Sequence, residues 1–160
     1  MQNVIKVGMA EIKVAKAPSR LLTSGLGSCI GICLYDKVAR VGGMAHIMLP
    51  DSTMAKVLNV AKFADTAVPE LIKQMQLLGA AKSRLVAKIA GGAQMFAFAT
   101  TNDIMRVGER NASAVIAKLE EEHIPLLVCE TGGNFGRTIE FDLADGRLYI
   151  RTLDMGESVR

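Results

Sequence analysis

Residues 29–47 read CIGICLYDKVARVGGMAHI, and the fold turns on this stretch. Ile30, Ile32 and Leu34 alternate with Cys29, Gly31, Cys33 and Tyr35, the period-2 pattern of a strand. Val41 to Ile47 alternates too. A turn over Asp36 to Ala39 makes the two runs an antiparallel hairpin in which Ile30 faces Ala45, Leu34 faces Val41, and Cys29 faces His46. Directly opposed side chains have Cβ atoms about 4.5 to 5.5 Å apart, so thiol and imidazole come within reach of a shared proton. A slip of one residue sends them to opposite faces.

The pair has a chemical meaning. An ordinary cysteine, with a pKa of about 8.5, is mostly thiol at neutral pH, and only the thiolate is a strong nucleophile, so a neighbouring histidine is the usual activating base. The same ring can return its proton to a departing amine, as amide hydrolysis requires. If the two form an ion pair, thiol alkylation stays fast well below pH 8. Immediately upstream, Gly25-Leu26-Gly27-Ser28 lets the backbone bend so that N–H groups around Gly27 and Ser28 converge on an oxyanion. Thr23 offers a hydroxyl to hold the far nitrogen of His46. Each feature alone has a plainer role: cysteine often fills cores, glycines make turns, and threonine suits strands. The Gly-x-Gly-Ser approach and a strand-matched histidine, in a chain with two histidines, raise Cys29 above that role, while nothing in spacing alone singles out Thr23.

His123 follows Glu120-Glu121-Glu122 and precedes Ile124-Pro125, the place of a helix C-terminus, where histidine complements the last carbonyls. Cys29, Cys33 and Cys129 form neither a disulfide framework nor a zinc ligand set, and no metal or cofactor is expected. The chain has 160 residues, half of them apolar, enough for one well-buried core. A single domain over residues 1–160 is expected. The longest uncharged stretch, Leu21 to Tyr35, is too short and too polar for a membrane span, and the N-terminus lacks the pattern of a signal peptide; a cytoplasmic location is the default expectation. A net charge of +3 with two tyrosines, five phenylalanines and no tryptophan gives no sign of a nucleic-acid surface.

Strands are predicted over Val4 to Met9, Glu11 to Ala15, Cys29 to Tyr35 and Val41 to Met48. Ala64, Ala67, Val68, Leu71, Ile72, Met75 and Leu78 then follow helical spacing. Pro69 leaves two options for that helix, a start capped by Thr66 or an earlier turn kinked at the proline. A strand over Arg84 to Ala90 leads into an apolar segment whose Phe96 and Phe98 belong to the core or to a partner-binding patch. Ala112, Val115, Ile116 and Leu119 mark a second helix. Leu126 to Cys129, Thr138 to Leu143 and Leu148 to Leu153 are strands, the last two joined through Ala144-Asp145-Gly146, a hairpin signal. The order points to an α/β (α+β-like) layered sandwich with mixed β-sheets flanked by helices.

Several segments together, Thr23-Ser-Gly-Leu-Gly-Ser-Cys29, Gly43-Met-Ala-His46-Ile-Met-Leu-Pro-Asp51-Ser52, Lys88-Ile-Ala-Gly-Gly-Ala-Gln-Met-Phe96, Gly108-Glu-Arg-Asn111 and Thr131-Gly-Gly-Asn134, resemble the CheD family of chemoreceptor glutamine deamidases. The resemblance spans almost the whole chain. It implies Cys29 as nucleophile, His46 as base and Thr23 as third member of a triad, in a sandwich similar to cytotoxic-necrotizing-factor-type cysteine deamidases. The implied reaction converts receptor glutamines to glutamate through a thioester, and the implied partners are methyl-accepting chemotaxis receptors and the CheC phosphatase. An adaptor that only holds receptor or CheC is the alternative.

Overall fold

A computed structural model describes residues 3–95, 106–153 and 155–160. Its elements are β1 (Val4–Lys6), β2 (Ile12–Lys16), β3 (Arg20–Leu26), β4 (Ile30–Asp36), β5 (Val41–Ile47), α1 (Ala64–Leu77), β6 (Val86–Gly91), α2 (Val107–Glu121), β7 (Leu126–Thr131), β8 (Arg137–Asp142), β9 (Arg147–Thr152) and β10 (Gly156–Val159). They form two five-stranded sheets, ordered β1-β3-β8-β9-β10 and β2-β5-β4-β6-β7. Each sheet is mixed, because β1 runs parallel to β3 and β6 parallel to β7 while the other pairs are antiparallel. Helices α1 and α2 cover the outer face of the second sheet. The expected layered α/β architecture is present.

The alternation in β4 is used twice, because the strand is buried along its whole length. Ile30, Ile32 and Leu34 face the helices, where they join Leu71, Met75, Val115 and Leu119. Cys33 and Tyr35 face the other sheet and meet Leu21, Ile139 and Phe141. The rings of Tyr35 and Phe141 stack edge to face at 5.9 Å, and the Tyr35 hydroxyl donates to the Leu143 carbonyl at 2.8 Å. On β5, Gly42 and Gly43 let both layers close on the strand: a Cβ on Gly43 would lie 2.5 Å from Leu71 Cδ1, and one on Gly42 would collide with Leu143 Cδ2.

The hairpin register differs from the expected one by two residues. Ile30 pairs with Ile47, Gly31 with His46, Leu34 with Gly43, and Asp36 with Val41, so Ile30 does not face Ala45, Leu34 does not face Val41, and Cys29 does not directly face His46. The cause is Asp36. Its carboxylate accepts from the backbone N–H groups of Val38 and Ala39, an Asx-type turn, and from Ala81 N–H and the Arg84 guanidinium. Asp36 therefore ends the strand, and the loop moves to residues 37–40, where Arg40 takes a φ of 55°. A two-residue shift preserves the face of every side chain, which keeps Cys29 and His46 on the same side.

Two strands escape the periodicity. β3 is short on alternation because its register against β8 shifts between Thr23 and Leu26, a bulge in which Gly25 has a φ of 70°. β10 is polar and pairs only with β9. Helix α1 takes the earlier-start option: it begins at Ala64 with Pro69 inside it, and Thr66, instead of capping, donates its hydroxyl to the Val60 carbonyl at 2.7 Å. His123 follows the end of α2 with a φ of 59°, its N–H donating to the Glu120 carbonyl. Phe96 and Phe98 lie outside the described residues.

Candidate active site

The site is assembled between the two sheets. The bulge in β3 turns both Thr23 and Leu26 inward, two residues that an unbroken strand would put on opposite faces. Thr23 is 2% exposed and His46 fully buried. The Thr23 hydroxyl lies 2.6 Å from the Val7 carbonyl oxygen and 2.7 Å from His46 Nδ1. A hydroxyl has one proton, and a carbonyl can only accept. Thr23 therefore donates to Val7 and accepts from His46 Nδ1–H, which fixes the tautomer: the Nε2 lone pair is free. That atom is buried and has no hydrogen-bond partner among the described residues.

Cys29 lies one residue before the first hairpin pair and 8% exposed, on the same inter-sheet face as His46. Gly31, two residues further along the same face, is the position directly opposite the His46 ring. A Cβ there would sit 2.5 Å from Ile139 Cδ1 and 3.2 Å from Leu26 Cδ1, so these two side chains pack directly onto the strand and screen the imidazole from water. Burial pushes the His46 pKa down and the Cys29 thiol up, the latter partly offset by its own N–H. Both shifts favour the uncharged forms. Both directions run against the ion pair considered from sequence.

The residues before Cys29 have a defined backbone pattern. Gly27 N–H is engaged by the Gly25 carbonyl at 3.0 Å, whereas Ser28 and Cys29 N–H have no partner among the described residues. The carbonyls of the segment are all held. Gly27 accepts from Ala93 N–H at 2.8 Å, Cys29 from Gly92 N–H at 2.9 Å, and Ser28 from the side-chain amide of Asn111 at 2.9 Å. Gly91, with a φ of 118°, approaches so closely that a Cβ would collide with the Cys29 carbonyl oxygen.

An open groove of about 800 Å³ starts at Gly25 and is lined by Met95, Phe135, Arg137, Arg151 and Leu153, among others. Arg137 is buried, stacks on the Phe135 ring at 4.4 Å, and donates to the Gly91 carbonyl at 3.2 Å. Cys33 is buried and Cys129 exposed, and all three cysteines are free. Among the described residues no three His, Cys, Asp or Glu side chains gather into a set able to hold a metal, and no helix is long and apolar enough to cross a membrane.

A family model described as CheD chemotactic sensory transduction matches residues 48–152. This chain belongs to the CheD family. A protein of Desulfitobacterium hafniense named as a probable chemoreceptor glutamine deamidase CheD is 55% identical over 159 residues, 99% of each chain. One of Halalkalibacterium halodurans, named as a chemoreceptor glutamine deamidase CheD, is 53% identical over 98% of each. A Syntrophomonas wolfei protein, again named as a probable chemoreceptor glutamine deamidase CheD, is 55% identical over 99% of each. These CheD relatives span the segment from Thr23 to His46 as well as the part matched by the family model.

The geometry of this CheD chain brings Thr23 and His46 into direct contact and sets Cys29 on their face. The Val7 carbonyl, which decides the tautomer, has no signature in the sequence because any residue could supply it. Asn111 carried a visible signal, a polar residue on the apolar stripe of α2, without an indication of what it binds.

Proposed function

We propose that this chain is a protein-glutamine glutaminase that converts specific glutamine side chains of methyl-accepting chemotaxis receptors to glutamate. The observation that supports this most directly is the His46 tautomer: the Thr23 hydroxyl accepts a hydrogen bond from Nδ1–H and leaves Nε2 as a base on the face that carries Cys29. In the first step Nε2 takes the Cys29 thiol proton while Sγ attacks the carboxamide carbon, and the carbonyl oxygen becomes an oxyanion. Collapse of that intermediate breaks the carbon–nitrogen bond as the imidazolium protonates the amine, and ammonia leaves. Water then attacks the thioester, giving its proton to Nε2; the thiolate departs, regains the proton, and a glutamate side chain remains. Ser28 and Cys29 N–H are the donors available to the oxyanion. Thr23 acts through His46 and is a positioning residue.

The relatives' names supply the substrate, and the open groove beside Gly25 fits a glutamine presented on the surface of a receptor helix better than an enclosed pocket would. The CheC phosphatase is a proposed regulatory partner. The layered sandwich, with cysteine at a strand start and histidine on the adjacent strand, fits the cytotoxic-necrotizing-factor type of cysteine deamidase. A single domain operating in the cytoplasm completes this reading.

Intact-mass analysis of a receptor cytoplasmic fragment is the test. Incubation with the native chain should add the small mass of a carboxamide turned carboxylate, and Cys29→Ala should not. Thr23→Val should lower kcat about a hundredfold or more, with Thr23→Ser largely restoring it, because only the hydroxyl sets the tautomer. No mass gain with a native chain that still binds receptor or CheC would favour the adaptor reading and refute the enzymatic one.

A further inference from the structure

We propose that Asn111 is a positioning residue for the oxyanion donor, acting through the Ser28–Cys29 peptide; this rests on the deamidase reading above. Asn111 is fully buried on α2, and its Nδ2 donates to two carbonyl oxygens, Ser28 at 2.9 Å and Met48 at 3.0 Å. Those residues lie just beyond the last β4–β5 pair, Ile30 with Ile47, where the ladder has ended. One side-chain amide thus bridges the two strands where their own backbone bonds stop. Its orientation is unambiguous, since only the NH2 end can face two carbonyls. The arrangement leaves Asn111 Oδ1 buried and without a partner among the described residues, a cost that a purely space-filling residue would not carry.

The consequence follows from peptide geometry. In a planar trans peptide the C=O and N–H point in opposite directions, so anchoring the Ser28 carbonyl on α2 aims the Cys29 N–H away from α2. The preceding peptide obeys the same rule, because the Gly27 carbonyl is held by Ala93 N–H. Helix α2 is seated tightly against this neighbourhood: a Cβ on Gly108 would lie 2.6 Å from the Gly92 carbonyl carbon. The Cys29 N–H belongs to the residue that carries Sγ, the location expected of a donor to an oxyanion formed on a carbon bonded to Sγ. Neither Ser28 nor Cys29 N–H is engaged among the described residues. Asn111 therefore holds a donor in place without touching the substrate.

Asn111→Ala and the isosteric Asn111→Asp, whose carboxylate cannot donate, are compared with the native chain for deamidation of a receptor cytoplasmic fragment and for alkylation of Cys29 by iodoacetamide. Alkylation forms no oxyanion. The expected result is a kcat about a hundredfold lower, the loss typical of one oxyanion donor, with KM and alkylation rate within about twofold of native. A retained kcat, or equal losses in turnover and alkylation, would overturn the assignment. If the variants do not fold, the native chain decides it. A peptide with an aldehyde in place of the glutamine carboxamide adds the Cys29 thiol across its C=O, with Sγ bonding to carbon and the proton passing to oxygen, and the Cys29 amide proton should then move downfield in the NMR spectrum. An unmoved amide overturns the inference. Absence of turnover by the native chain itself would instead remove the deamidase reading, and this inference with it.

Discussion

At the scale of single residues, His46 and Cys29 show how burial opposes ionisation. Desolvation lowers the histidine pKa and raises the thiol pKa, so forming the charged pair carries a desolvation cost. For His46 the folded pKa lies below the ordinary 6.5. Its neutral ring therefore contributes stability that is fully present above pH 6.5 and is lost as the pH falls through the lowered folded value. The melting temperature of the native chain should drop on acidification below pH 6.5, and a His46→Gln variant should lack this limb of the profile. The thiol has the opposite sign. Alkylation of Cys29 should accelerate only as the pH climbs past the usual thiol range of about 8.5; a fast reaction well below pH 8 would mean that the ion pair exists in the resting protein after all.

At the scale of elements, the hairpin β4–β5 and the strand β6 beside it carry the site. The alternation of Ile30, Ile32 and Leu34 against Gly31, Cys33 and Tyr35 was legible because pleating alone assigns faces. The register was not, because it depended on where Asp36 anchored the turn, and Asp36 is tied to Arg84 and Ala81, forty-five or more positions away. Strand β3 was hidden for a related reason. Its bulge interrupts the period-2 pattern at the point where Thr23 must turn inward, so the functional irregularity erased the sequence signal. Gly91 tests the closeness of this packing. A Gly91→Ala substitution combines a positive φ with a collision against the backbone oxygen of Cys29, and backbone cannot yield as a side chain tip can. It should cost about 3 kcal/mol, strain and overpacking together, seen as a lower urea midpoint at unchanged slope, and deamidation should fall further than the loss of folded protein explains.

At the scale of the whole molecule, the layer between the sheets makes the site and the core one object. Phe141 on β8 is almost fully buried against Tyr35 on β4, the strand that begins just after Cys29. Truncation by Phe141→Ala should destabilise the protein by about 3 to 5 kcal/mol, and far- and near-ultraviolet circular dichroism should shift together in a single transition if residues 1–160 act as one domain. Separate transitions for the two probes would mean that the sheets unfold independently. The sequence by itself determined the faces of the strands and the presence of two helices, and it put Cys29 and His46 forward as candidates, because period and residue chemistry are local properties. Only the tertiary structure decided the hairpin register, the His46 tautomer and the role of Asn111. Each depends on a partner brought in by the folded chain: Arg84 and Ala81 for Asp36, the Val7 carbonyl for Thr23, and the Ser28 and Met48 carbonyls for α2. A backbone carbonyl looks the same at every position of a sequence, so which one a side chain meets is settled when the layers pack.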